Sequence, residues 1–422
     1  MTTNSNVPGD TIVSGTTAFD PETERVAWRL SLRKGAVAYL YSRVLVAIGA
    51  ALVAAELRAD ANILEDKFPR APFADPNYPT VGIPKNAARP MLDVLTSWDG
   101  VWYMRIVRIG YPHFVAPNAD YDRYDARAAF FPAYPILVRF FDFLLPGGVA
   151  VAAVFVNFLL GALFIYIAGL LARELFGWRV AERSMVLLCL FPGSFVLSFA
   201  YAEPLLLVAA AGCFWFLLKR QWLLAGLLAA LGTATRPNGV ALVAACAVVA
   251  FFAIRDRREW RALIAPILAP VGVLAFQLWL GAHTGEPGVW FRVQREAWGE
   301  GTSFGWTAIS NTVKALSDPL TSPTKTITAA SLVTMVLLLW FLRKHGLPAM
   351  YNAYIAVVLL LMLLPKTVTA RPRFLFTAFP LLIAAAAWFE RDKRDWWPYV
   401  VGACSAGLVA LTTLYGVLGA IP

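Results

Sequence analysis

Residues 147–172 read GGVAVAAVFVNFLLGALFIYIAGLLA. Wound as a helix, such a block is long enough to cross a bilayer core of roughly 30 Å. Comparable apolar blocks recur along the 422-residue chain. The sequence is 59% hydrophobic and 15% charged, whereas a soluble domain carries about 25% charged residues. Its mean hydropathy is +0.61. These values exclude an ordinary soluble protein, a collagen, a coiled coil, a disordered tail and a disulfide scaffold.

Working outward from that block, spans are predicted at 35–57, 147–172, 181–199, 203–218, 222–235, 238–254, 261–281, 326–342, 349–365, 373–389 and 398–418. The fold expected is therefore an all-α integral membrane bundle of about eleven transmembrane helices. Residues 1–34 form a polar tail without the apolar core of a signal peptide, and 35–422 form the membrane domain. Pro237 and Gly239 separate the two shortest spans.

The formal net charge of +10 does not describe a nucleic-acid stripe, because the cations sit at span ends. With the N-terminus cytoplasmic, eighteen Lys and Arg fall on cytoplasmic segments and four on short external turns. That asymmetry sets the expected orientation: N-terminus inside, C-terminus outside, at the plasma membrane. Cys189, Cys213, Cys246 and Cys404 lie inside apolar blocks and read as small buried hydrophobes. His113, His283 and His345 are scattered along the chain, and no metal site is expected.

On this map two long loops, 58–146 and 282–325, are external, with the turns at 200–203, 235–239 and 366–373. Polar chemistry from five stretches thus falls on one side, which suggests a single site at the external surface. Trp98, Trp102, Ile106 and Ile109 make an apolar stripe on a helix, with Asp99 and Tyr103 on a neighbouring face. Such a helix is expected to lie in the interface, tryptophans at headgroup depth. Asp99 then reads either as a helix cap or as a chemical group. Asp120, Asp122, Arg123, Asp125 and Arg127 read as a salt-bridged loop, and 130–135 leads onto a membrane-hugging helix.

Glu203 stands at a membrane boundary, where an acid needs a partner or a water-filled cavity. Arg236 and Asn238 interrupt apolar sequence in a break that reads as a tight turn or a cavity lining. Lys366, Arg371 and Arg373 are three cations on the side that should be poor in them. They read either as contacts to an anionic ligand, since arginine forks match phosphate oxygens, or as side chains snorkelling to headgroups. Gln294 and Trp298, one helical turn apart, read as sugar contacts or as loop packing. No P-loop, Rossmann glycine run, zinc pair or serine elbow occurs.

Taken in order, Trp98-Asp99, Trp102-Tyr103, Ile106, Gly110-Tyr111, Phe130-Phe131-Pro132, Tyr134-Pro135, Phe191-Pro192, Tyr201-Ala202-Glu203, 235–239 (TRPNG), Gln294 and Trp298 resemble PIG-V-type mannosyltransferases, with bacterial, notably actinobacterial, relatives. These are GT-C membrane glycosyltransferases. The resemblance implies a sugar, mannose in that family, taken from a polyprenyl-phosphate carrier on the external face and passed with inversion to a lipid or glycan acceptor. Asp99 is then the general base. Arg371, Arg373, Arg236 and Lys366 hold the donor phosphate. Trp98, Tyr103, Tyr201, Glu203, Asn238, Gln294 and Trp298 contact sugar and acceptor. No cofactor or metal is required. Two rival readings are a transporter or flippase of lipid-linked sugars, with Arg43 and Gln277 on its path, and a non-catalytic scaffold.

Overall fold

A computed structural model describes residues 21–59, 88–119, 124–318, 322–392 and 394–422. The described residues are helical apart from turns and one isolated antiparallel bridge, Thr302 to Pro365. Among the described residues, six helices are long and apolar enough to cross a membrane, and three shorter apolar helices accompany them. The protein is therefore multi-pass and all-α.

The first helix, α1 (Pro21–Ala59), begins well ahead of the span's expected start at 35. It exposes Val37, Tyr41, Val44, Ile48 and Leu52 along one face. Its other face buries Tyr39, Val46, Ala50 and Val53. An exposed apolar stripe spaced by three and four residues is what a lipid-facing helix presents. Two short helices follow, α2 (Ala88–Leu95) and α3 (Asp99–Ile109), then α4 (Ala133–Leu144) and the long α5 (Val149–Phe176).

The span expected at 181–199 is broken. Helix α6 (Trp178–Leu190) stops at Phe191, and a 3-10 turn follows over Pro192–Leu197. Pro192 has no N–H to continue the ladder. Beyond it, α7 (Glu203–Leu218) and α8 (Trp222–Thr233) form an antiparallel pair. A 3-10 turn, Pro237–Val240, leads into α9 (Ala241–Arg257). The chain continues through α10 (Ile264–Leu268) and α11 (Val271–Thr284) to loop helices α12 (Val289–Glu296) and α13 (Trp306–Ser317). Helices α14 (Pro323–His345) and α15 (Ala349–Leu363) precede a second broken span, α16 (Pro372–Thr377) and α17 (Pro380–Arg391). The last helix is α18 (Trp397–Gly416).

Helices α7 and α17 are apolar all round and lie inside the bundle. Helix α7 has 16 residues and α8 has 12, about 24 Å and 18 Å at 1.5 Å per residue. Both fall short of a core of roughly 30 Å. Buried Cys213 and Cys246 pack with sulfurs 3.7 Å apart.

Candidate active site

The site is assembled at helix starts. Ser97, Trp98, Asp99 and Gly100 form a tight turn closed by Gly100 N–H donating to the Ser97 carbonyl, 3.1 Å. Trp98 holds φ 57° and ψ −121°, the first central position of a type II′ turn, which ordinarily takes glycine. Its indole N–H donates to the Tyr415 carbonyl at 2.9 Å, pinning the turn to α18. Asp99 then opens α3. Its carboxylate does not cap the helix but accepts from Arg373 Nη1 at 2.6 Å.

Glu203 opens α7 in the same way. Carboxylates in the first turn are stabilised by the helix dipole, so two helix starts hold two acids near one point. The cations arrive from Arg-Pro steps. A residue before proline is driven into extended backbone, and Arg236 and Arg371 are both extended. Arg236 Nη1 lies 2.5 Å from Glu203 Oε2 and 3.6 Å from Asp99 Oδ2. Arg373 Nη1 lies 3.7 Å from Glu203 Oε1 besides its bond to Asp99. Two acids and two arginines thus balance in charge.

Exposure separates their roles. The Glu203 side chain is fully sealed, whereas Asp99 keeps 16% of its surface open. Truncating one partner of a buried pair costs about 3–5 kcal/mol, so Glu203 and Arg236 are mutually obligatory. Glycines allow the close approach of the supporting turns. A Cβ on Gly239 would collide with the Gly232 carbonyl, and one on Gly193 with the Pro372 carbonyl between the two arginines.

Two aromatic residues complete the cluster. Tyr201 lies beneath the Arg373 guanidinium, 5.4 Å from carbon to ring centre. Tyr103 packs edge-on against Phe130 and Tyr134, at 5.1 Å and 4.9 Å. Burial pushes the Tyr103 phenol above its ordinary range, more strongly than its charged neighbours act. It therefore stays a neutral hydroxyl at working pH.

Other expected site residues lie elsewhere. Arg371 is buried, and its hydrogen bonds go to the Ile421 carbonyl, Thr328 and the Ala370 carbonyl. It braces the bundle rather than joining Asp99. Lys366 is exposed, with its backbone N–H on Gly301 and Glu300. Asn238 is half-buried in the turn after Arg236. Gln294 is half-buried on α12, and Trp298 meets Trp102 and Phe130 at 5.9 Å and 5.7 Å. Trp102 does not sit among headgroups. It is buried, stacked on Phe130, with Arg105 over its indole. Asp120, Asp122 and Arg123 lie outside the described residues. Arg43, a candidate for a transport path, is buried and donates to Ser42, Ser194 and Ser198.

One functional support escaped the sequence reading. Buried Asn157 on α5 donates its amide to the Phe199 carbonyl and, at 2.9 Å, to that of Tyr201. It fixes the irregular backbone that delivers Glu203. An amide inside the apolar 147–172 block was the visible signal, since buried polar groups in a membrane need partners.

A balanced cluster of two acids and two arginines, largely buried, thus sits inside a multi-pass, all-α membrane protein. The sequence profile of the mannosyltransferase (PIG-V) family matches residues 39–273, which include Asp99, Glu203 and Arg236. The chain belongs to that family. No curated protein sequence matches it. Among solved structures it resembles ArnT from Cupriavidus metallidurans bound to undecaprenyl phosphate, at 16% identity and TM-score 0.48, over 71% of this chain and 56% of that one. It also resembles the apo oligosaccharyltransferase of Archaeoglobus fulgidus, at 15% identity and TM-score 0.41, over 89% and 55%. The same oligosaccharyltransferase with an inhibitory peptide and a dolichol-phosphate matches at 13% identity and TM-score 0.41, over 89% and 55%. The chain thus spans little more than half the length of these proteins.

Proposed function

We propose that the protein transfers a sugar, mannose by family membership, from a polyprenyl-phosphate donor to a hydroxyl of a lipid or glycan acceptor. The reaction takes place on the external face of the plasma membrane, with the N-terminus cytoplasmic and the C-terminus outside. The supporting observation is the contact of Asp99, the one open carboxylate of the cluster, with Arg373 at 2.6 Å. A base and an anion-binding cation stand side by side.

The acceptor oxygen attacks C1 from the face opposite the phosphate, and its proton passes to Asp99. The C1–O bond to phosphate breaks with its electron pair on the phosphate. Arg373 and Arg236 receive that charge in a site with little water, where fixed cations act strongly. Inversion follows from the single displacement. The donor phosphate competes with Asp99 for Arg373, so its binding releases the base. Glu203 positions Arg236. Asn238 and Gln294 are assigned to sugar hydroxyls, and Lys366 to capture of the phosphate at the rim. The two guanidiniums meet the charge demand of the leaving group, so the scheme requires no metal.

The test is transfer from polyprenyl-phosphate-mannose by purified protein in detergent with EDTA, wild type beside Asp99→Asn. General base catalysis contributes about 10²–10⁴-fold, so the variant should lose at least a hundredfold while its melting temperature changes little. Retained transfer removes Asp99 from the reaction.

A further inference from the structure

The irregular segment 191–202 meets the charge cluster at three places. It ends on Glu203. Its Ala200 N–H donates to the Leu95 carbonyl at 2.8 Å, and a Cβ on Gly100 would stand 3.3 Å from the Ala200 methyl, so it abuts the turn that carries Asp99. Its Gly193 packs so tightly on the Pro372 carbonyl, one residue before Arg373, that a Cβ there would collide. Whatever fixes this segment therefore bears on the spacing of Asp99, Glu203 and Arg373.

Two side chains grip it. Asn157 holds the later half, at Phe199 and Tyr201. Arg43 holds the earlier half. Its Nη1 donates to the Ser194 carbonyl at 3.2 Å and to the Ser198 hydroxyl at 2.7 Å, and its Nη2 to the Ser194 hydroxyl at 3.4 Å. The two grips share one frame. The guanidinium carbon of Arg43 lies 5.3 Å from the centre of the Tyr39 ring, and the Tyr39 hydroxyl donates to the carbonyl of Phe158, next to Asn157, at 2.6 Å.

Arg43 is buried in α1, which is long and apolar enough to cross a membrane. Its hydrogen bonds all go to serines, and no carboxylate is among its partners in the described residues. A buried charge without an opposite charge is costly, so bundle stability alone is a poor account of an arginine here. What the residue adds is a rigid fork that donates to two residues of one turn at once.

We propose that Arg43 is a positioning residue for sugar transfer, an inference that rests on the reaction assigned above. It sets Ser194 and Ser198 in one geometry, so that Gly193 seats Pro372 and Arg373 reaches Asp99.

Amide exchange of the detergent-purified full chain tests that geometry without any transfer. Arg43→Met should lower protection over 192–198, where its own bonds are lost, and also over 97–101 and 373–378. Protection over 241–257 should hold, as the check on folding. Ser198→Ala removes one acceptor of the fork and should act on the same segments more weakly; it carries the comparison if the arginine variant does not fold. Loss confined to 192–198 overturns the proposal. Kinetics gives the second readout. A displacement of about 1 Å costs about 10²-fold, so kcat of Arg43→Met should fall by that order with KM for polyprenyl-phosphate-mannose nearly unchanged. An unchanged kcat, with or without a raised KM, overturns it too. Wild type that transfers no mannose would fail the assigned reaction instead, and the exchange result alone then decides whether Arg43 sets the cluster.

Discussion

Trp98 sits at positive φ with a bulky side chain, directly before the proposed base. Such backbone costs of order 1–3 kcal/mol and persists where its surroundings over-determine it. The indole bond to Tyr415 and packing against the main core supply that constraint. Replacing a large packed aromatic costs about 3–5 kcal/mol, so Trp98→Ala and Trp98→Gly should both destabilise. Glycine alone is relieved of the strain. Thermal unfolding should therefore rank Trp98→Gly above Trp98→Ala, the reverse of the usual preference for alanine near a helix. The opposite order would show that no strain is stored there. Asp99 stood out in the sequence, but nothing there could separate Arg371 from Arg373 as its neighbour. Both flank Pro372 with the same chemistry, and only the positions of Thr328 and the Ile421 carbonyl decide which one faces the acids. Asn157 was equally hidden, because its partners are carbonyls some forty residues away.

Among the elements, α12 joins the two long loops. Arg292 binds Glu286 and Glu296 and donates to the carbonyls of Val115 and Ala116, each at 3.0 Å. The Glu296 carboxylate also accepts from the Ala119 N–H, 2.8 Å. The Arg292 hydrogen bond holds Glu286 below the ordinary carboxylate range. The Ala119 N–H, then Arg292, does the same for Glu296. Depressed folded values mean that the clamp is complete above the ordinary carboxylate range, about pH 4.3. It is lost as pH falls through the lowered values. Amide protection factors over 111–119, the intrinsic exchange rate at each pH divided by the observed one, should be flat from about pH 8 to pH 5 and fall only below roughly pH 4. Arg292→Met should lower them throughout; protection that falls already near pH 6 would implicate another group. The loops' convergence was foreseeable from topology. The breaks in 181–199 and 373–389 were not, because total hydropathy cannot distinguish one crossing helix from two short pieces around a proline.

For the whole molecule, apolar blocks and the distribution of Lys and Arg carried the fold class. Burial of the charge cluster did not follow from hydropathy, which locates spans but not the turns between them. It comes from the Tyr201 and Arg236 turns, which Asn157 and Glu203 hold in place. Of the five stretches expected on one side of the membrane, four supply the charges, and the fifth reaches 366–373 through Glu300, which accepts from the backbone of Lys366 and Thr367.

The Glu203 end of the cluster is closed to dissolved counter-ions. Bulk screening acts over about 8 Å at physiological ionic strength, but only where mobile ions can enter, and Glu203 admits none. Sodium chloride raised from about 0.05 to 0.5 M should weaken the exposed pair of Lys34 with Glu182 and leave the turnover rate nearly unchanged. A steep fall in turnover would mean that Arg373 meets its phosphate in open water. A flat response would make the protein indifferent to the salinity of its surroundings, with its carrier lipid, not the external medium, setting the electrostatic conditions of the reaction.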